Sequence, residues 1–226
     1  MKLSLLSILI LLSSAALAAD APPTVIKGDL VIDKDKKTVT IPAIIAPRKL
    51  AYLDQIYPVE VVACYPHPAG KKAHETVVNF SVKPSDVHKA LVSFGLTPGK
   101  PAMGEGEKAS GPEVKIYLEL PPKEEGGEPR KIPIEKSLVD KKTGKSMPTL
   151  HWIFTGSVMI QPDPNKDEKI YGADDKGTLI GIFPVTNETV IQTNLTMKDE
   201  PILKLETDKK TLPPEGTPVK IIIEAK

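Results

Sequence analysis

Twenty-three prolines spread over 226 residues constrain this chain more than any other feature. Proline fixes φ and removes a backbone donor, so it suits turns, edge strands and helix starts but not long helices or central strands. Aromatic residues make up only 4% of the chain beside them. The composition predicts a β-rich fold with many turns, and the apolar spacing between prolines locates its strands.

Leu30-Val31-Ile32 and Thr38-Val39-Thr40-Ile41 flank a charged turn and predict a β-hairpin, whose second strand Pro42 breaks or turns into an edge. Pro58 to Cys64 is strand-like, and Tyr65-Pro66-His67-Pro68-Ala69-Gly70 forces a turn. From His74 to Val82, period-2 spacing puts His74, Thr76, Val78, Phe80 and Val82 on one face and Glu75 on the other. Pro84-Ser85 opens the one clear helix, with Ser85 as N-cap, Asp86 at the positive end of the dipole, Val87, Ala90, Leu91 and Phe94 as an apolar stripe, and Gly95 at C′.

Glu113 to Leu120 alternates as a half-buried strand, and Lys131 to Val139 is read as its hairpin partner. Trp152 to Ile160 is a further strand, and Lys169 to Pro184 reads as two strands around Asp174-Asp175-Lys176-Gly177. Thr189 to Thr193 has no clear period. Ile221-Ile222-Ile223 places the last strand, Pro218 to Glu224, inside a sheet. The expected fold is α+β: a mostly antiparallel or mixed sheet with one principal helix, about residues 85–95, packed on it. No linker or repeat divides residues 19–226, which read as a single domain with a short N-terminal tail.

Residues 1–18 have the form of a cleaved signal peptide: Lys2, an apolar run from Leu3 to Leu12, and small residues ending at Ala18. The run is too short for a membrane span and no cysteine directly follows it for lipid attachment, so the expectation is a mature chain without a span, exported to the periplasm or beyond. Thirty basic and 29 acidic residues are interspersed, which leaves no basic face for nucleic acid. Cys64 is the only cysteine, so no disulfide supports the fold, and its thiol is buried and inert, exposed and reactive, or bound to something.

Cys64, His67, His74 and Glu75 form the only sequence cluster of ligand-type residues. Two chemistries suit it. Cys64, His67 and His74 are candidate ligands for zinc or copper, although the spacing matches no strong zinc signature. Alternatively, His74 activates Cys64 as a nucleophile, Glu75 orients the imidazole and Gly70 supplies an oxyanion donor. Against both stands a structural reading in which Gly70 makes the turn, His74 and Glu75 hold it, and Cys64 fills space. His88 is read as a surface or capping residue, and Trp152 as core unless a cleft exposes it to a sugar or peptide.

Several short motifs occur together and in order: Leu50-Ala51-Tyr52-Leu53, Gly70-Lys71-x-Ala73-His74-Glu75, Pro84…His88-x-Ala90-Leu91…Gly95-Leu96, Thr143 to Pro148, Trp152 to Ser157, Gly177 to Ile180 and Pro214-x-Gly216-Thr217-Pro218-Val219. In this the chain resembles the YdjY-like domain of exported bacterial proteins over most of its mature length. It departs from that pattern at Thr76, where a serine is usual, and at Ser137, where a large apolar residue is common. The resemblance implies a fold and an exported location but no activity. The functional expectation is a non-catalytic binding or accessory module of the cell envelope with a protein or glycan partner. The alternative is a metal-binding protein or small hydrolase built on Cys64, His67, His74 and Glu75.

Overall fold

The computed structural model describes residues 28–226; the leader and tail read in the sequence lie outside the described residues. The chain begins with the expected hairpin, β1 (Val31–Asp33) and β2 (Thr38–Ile45), paired with Val31 opposite Thr40. Next come β3 (Val61–Cys64), a 3₁₀ turn at Ala73–Glu75, β4 (Thr76–Phe80) and α1 (Pro84–Ser93). β5 (Glu113–Leu120) and β6 (Arg130–Pro133) form a second hairpin, followed by a 3₁₀ turn at Ile134–Ser137 and β7 (Leu138–Asp140). The remainder is β8 (Trp152–Phe154), β9 (Met159–Ile160), β10 (Ile170–Tyr171), α2 (Gly172–Lys176), β11 (Thr178–Gly181), β12 (Ile191–Thr193), β13 (Leu205–Thr207) and β14 (Pro218–Ala225).

Ten strands join one sheet, and eight of them close on themselves in the order β2-β14-β5-β8-β12-β11-β3-β4. Closure comes from β4 pairing back onto β2, with Ala43 opposite Phe80 and Ile45 opposite Val78. The expectation of an α+β sheet with a principal helix packed on it is corrected: this is a mostly β, closed barrel. Alternation tells which residues face inward, but an inward face looks the same whether a helix or the far wall of a barrel covers it. The mixed pairing does hold, since β3–β4 and β11–β12 are parallel and the other barrel contacts antiparallel.

Pro42 shows how the barrel accommodates its prolines. It does not end β2. The Ile45 N–H points toward β14, donating to Thr217 O at 3.0 Å, so by alternation the missing donor of Pro42 lies on the opposite edge. That edge is paired with β1 up to Thr40 and with β4 from Ala43 onward. Pro42 occupies the gap between the two partners, where no ladder bond is lost.

The interior is one apolar cluster that includes Phe80, Phe154, Phe183, Leu118, Ile221 and Ile223. β5 has the predicted alternation, with Val114, Ile116, Leu118 and Leu120 buried. β14 is central as expected, bonded to β2 on one side and β5 on the other. Helix α1 leaves the end of β4 and packs Val87, Ala90 and Leu91 into the same cluster. Its N-cap is Lys83 rather than Ser85, because Pro84 already takes a helical position. At its other end Gly95, at φ 90°, closes a Schellman motif: its N–H donates to Val92 O and that of Leu96 to Leu91 O.

Asp174 to Gly177 is not a hairpin turn. It forms most of the one-turn helix α2, ended by Gly177 in the left-handed region at φ 67°. Asp174 reaches across to α1, accepting hydrogen bonds from Ser85 N at 2.8 Å and Ser85 Oγ at 2.6 Å. A carboxylate from a neighbouring helix thus caps α1, satisfying a free donor at the positive end of its dipole.

One-sided burial of α1 predicts unequal costs along it. Leu91→Ala should destabilise the protein by about 2–5 kcal/mol in urea unfolding. Val92→Ser, at a residue 43% exposed, should stay within about 0.5 kcal/mol. Equal costs would contradict this packing.

Candidate functional site

Cys64 ends β3 with no exposed surface, its Sγ 4.0 Å from Thr178 Oγ1. Burial pushes the thiol pKa up to about 11, so it carries its proton at neutral pH. Gly70 passes so close that a Cβ there would lie 2.0 Å from Tyr65 O and 2.8 Å from Cys64 Sγ. Its N–H donates to Pro66 O at 3.0 Å and is not presented as an oxyanion donor. His67 is on the surface, its ring 4.3 Å from that of Tyr52.

His74 and Glu75 fall in the 3₁₀ turn rather than on a strand, so they do not take opposite faces. The turn brings His74 Nε2 to 3.2 Å from Glu75 Oε1. Glu75 Oε2 and Glu60 Oε2 each lie 2.7 Å from Lys72 Nζ, while Arg48 donates to His74 O and binds Glu206 at 2.7 Å. Desolvation raises the Glu60 pKa. It also lowers that of His74, with Lys72 and Arg48 adding to the effect. The arrangement is an ion-pair network that ties the starts of β3 and β4 to the loop carrying Arg48. Among the described residues, no three His, Cys, Asp or Glu side chains are placed to hold a metal ion.

A different histidine faces a cleft. α1, the Pro98-Gly99 segment, the loop Thr155–Met159 and Tyr171 enclose an open space of about 470 Å³. The strands β9 and β10 pair as a small flap along it, and Met159 is 58% exposed at the rim. Tyr171 Oη donates to Gly156 O at 2.7 Å and lies 2.8 Å from His88 Nδ1. The phenol has one proton, which the carbonyl takes, so His88 donates from Nδ1 and keeps Nε2 as a free acceptor. Among the described residues His88 Nε2 makes no side-chain hydrogen bond, and the Gly156 backbone beside the ring partly offsets the effect of burial on its pKa. The ring also packs edge-on against Phe154, at 5.2 Å. Burial lowers the His88 pKa and raises that of Tyr171, so both are neutral at physiological pH.

The loop opposite His88 is held in an unusual shape. Gly156 has φ 84° and Ser157, which is not glycine, has φ 61°. A Cβ on Gly156 would lie 2.4 Å from Pro98 Cβ and 3.2 Å from His88 Cε1. Ser157 Oγ accepts from Ala173 N at 3.1 Å, which ties the loop to α2. The Ser85 hydroxyl donates to Asp174 and not to His88. The cleft offers an acceptor nitrogen, hydroxyls and an apolar rim, which suits binding.

Residues 30–224 match the family model of the YdjY domain. The chain belongs to this family. Comparison with curated proteins and with solved structures gave no match. The YdjY domain here comprises the whole barrel, α1 and the cleft. Within it, Thr76 Oγ1 donates to Val62 O at 3.0 Å, and Ser137 Oγ donates to Ile134 O at 2.6 Å.

The sequence reading passed over the His88 cleft. The signal available was the Gly156-Ser157 pair inside the run read as a strand from Trp152 to Ile160, and Ser85 and His88 one turn apart on α1. Nothing in the spacing places Tyr171 beside them.

The two depressed histidines predict a pH dependence. A histidine whose folded pKa is lowered contributes stability above its unfolded value of 6.5, and that stability is lost as pH falls toward the folded value. Glu60, raised by burial, acts in the opposite sense, so the comparison with a variant is the readout. As pH falls below 6.5, wild type should lose stability more steeply than a His74→Gln/His88→Gln double variant. Parallel curves would show that neither imidazole is held neutral by the fold.

Proposed function

We propose that this YdjY domain is an exported, non-catalytic binding or accessory module of the cell envelope, and that the α1 cleft is where it meets a protein or glycan partner. The observation that carries this reading is His88. Its Nδ1 is tied to Tyr171 while Nε2 is left bare in an open cleft. An acceptor held in one tautomer, among hydroxyls and an apolar rim, suits a ligand rich in hydroxyl or amide groups. The protonated, enclosed thiol of Cys64 and the pairing of Ser85 with Asp174 favour binding over hydrolysis.

The test places a photo-crosslinking residue at Met159 on the cleft rim and, as a control, at Ile202, which is 64% exposed and does not line the cleft. In cells of the source organism, a discrete adduct should form from position 159 only, in the exported fraction, on a chain beginning at Ala19. His88→Ala should abolish it without a large change in unfolding midpoint. Equal adducts from both positions, or retention of residues 1–18 on an unexported chain, would overturn the reading. So would near-stoichiometric zinc or copper that is lost in a folded His74→Ala variant.

A further inference from the structure

Three charged side chains are buried among the described residues: Arg48, Glu75 and Glu135, with 4%, 7% and 6% of their surface exposed. Arg48 is paired with Glu206 and Glu75 with Lys72, each at 2.7 Å. Glu135 has no cation within ion-pair distance among the described residues. Its Oε1 accepts from Trp152 Nε1 at 2.8 Å and from Leu150 N at 3.1 Å. Its Oε2 has no hydrogen bond within the described residues, yet it is not sealed from solvent. Burying a carboxylate with neutral donors alone is costly, and buried charges are normally paired.

A gap in the barrel wall gives the free oxygen an outlet. β5 is bonded to β14 along one edge. On its other edge β8 pairs with Glu113 and Val114, and β6 with Tyr117 to Leu120, so Lys115 and Ile116 have no strand beside them. A groove of about 270 Å³ opens at this split, with Glu135 in its lining and Tyr117, Pro133, Leu150 and Trp152 as apolar walls. The cations at its rim are engaged elsewhere. His151 Nδ1 lies 2.6 Å from Glu113 Oε1, Lys226 also pairs with Glu113, and Lys115 faces Glu224 at 3.9 Å.

We propose that this groove is a binding site for a primary ammonium group on an aliphatic stem, with Glu135 as its counter-charge. One oxygen of Glu135 already accepts two hydrogen bonds, so a single oxygen remains for the ligand. That fits the point charge of an ammonium better than the two-pronged fork of a guanidinium. The stem lies along the apolar walls. The source is a free alkylamine or a lysine side chain of a polypeptide. This site shares no lining residue with the His88 cleft and stands or falls independently of it.

Trp152 is the only tryptophan, and it bonds to the proposed counter-charge, so its fluorescence reports on the site. The full mature chain is titrated with n-butylammonium chloride at constant ionic strength, and with n-butanol as the uncharged analogue. A saturable change is expected with the amine alone. Glu135→Gln keeps an acceptor for Trp152 and Leu150 but removes the charge, and should weaken amine binding at least about tenfold at an unchanged unfolding midpoint. N-acetyl-lysine amide distinguishes the sources: tighter binding than butylammonium assigns a polypeptide lysine, equal binding a free amine. Equal responses to amine and alcohol, no saturable response, or unchanged binding in Glu135→Gln would overturn the proposal. If the glutamine variant does not fold, the amine-versus-alcohol comparison on wild type decides.

Discussion

The pairing of β4 onto β2 is the contact on which the rest of this structure depends. It turns a ladder into a closed wall by pairing the edges of β2 and β4 that an open sheet would otherwise expose. It also makes β2 a strand with three partners, bonded to β14 along its length and to β1 and β4 in succession on its other edge. Helix α1 follows four residues after β4, so closure fixes where the helix starts and which end of the barrel it covers. The capping of Ser85 by Asp174 and the approach of His88 to Tyr171 both depend on that placement.

Both candidate binding surfaces lie where the regular wall is interrupted. At α1 the chain leaves β8 through Gly156 and Ser157 in left-handed conformations, and the freed space meets a histidine with one nitrogen unused. Beside β5 the neighbours β6 and β8 diverge, and a buried glutamate fills the split with one oxygen unused. The contrast with the Lys72, Glu60, Glu75 network is informative. There each carboxylate has its cation and the loop is tied down, as expected of ions that serve the fold.

Local pattern carried much of this into the sequence. β5, β14, the first hairpin and the Gly95 terminus of α1 were legible because period-2 alternation, a triple isoleucine and a C-terminal glycine each have a local cause. Closure was not, because whether β4 returns to β2 depends on pairing across more than thirty residues, and the inward face of β4 reads alike in an open sheet. His74 and Glu75 were assigned to opposite faces because period-2 counting assumes a strand where the chain makes a 3₁₀ turn. Asp174 to Gly177 carries turn chemistry, yet the glycine ends a helix instead of reversing a hairpin. Glu135 gave no signal at all, since only the three-dimensional inventory of charge partners marks it as unpaired.

Closure positions every site in the molecule, and amide hydrogen exchange with interstrand NOEs across β2 and β4 tests it most directly. The closed barrel predicts NOEs linking Ala43 with Phe80 and Ile45 with Val78. It also predicts that the Ile44 and Asn79 amides are protected as strongly as those between β2 and β14. Absence of those NOEs, with fast exchange along the β4-facing edge of β2, would mean an open sheet and would contradict the placement of α1, the cleft and the groove.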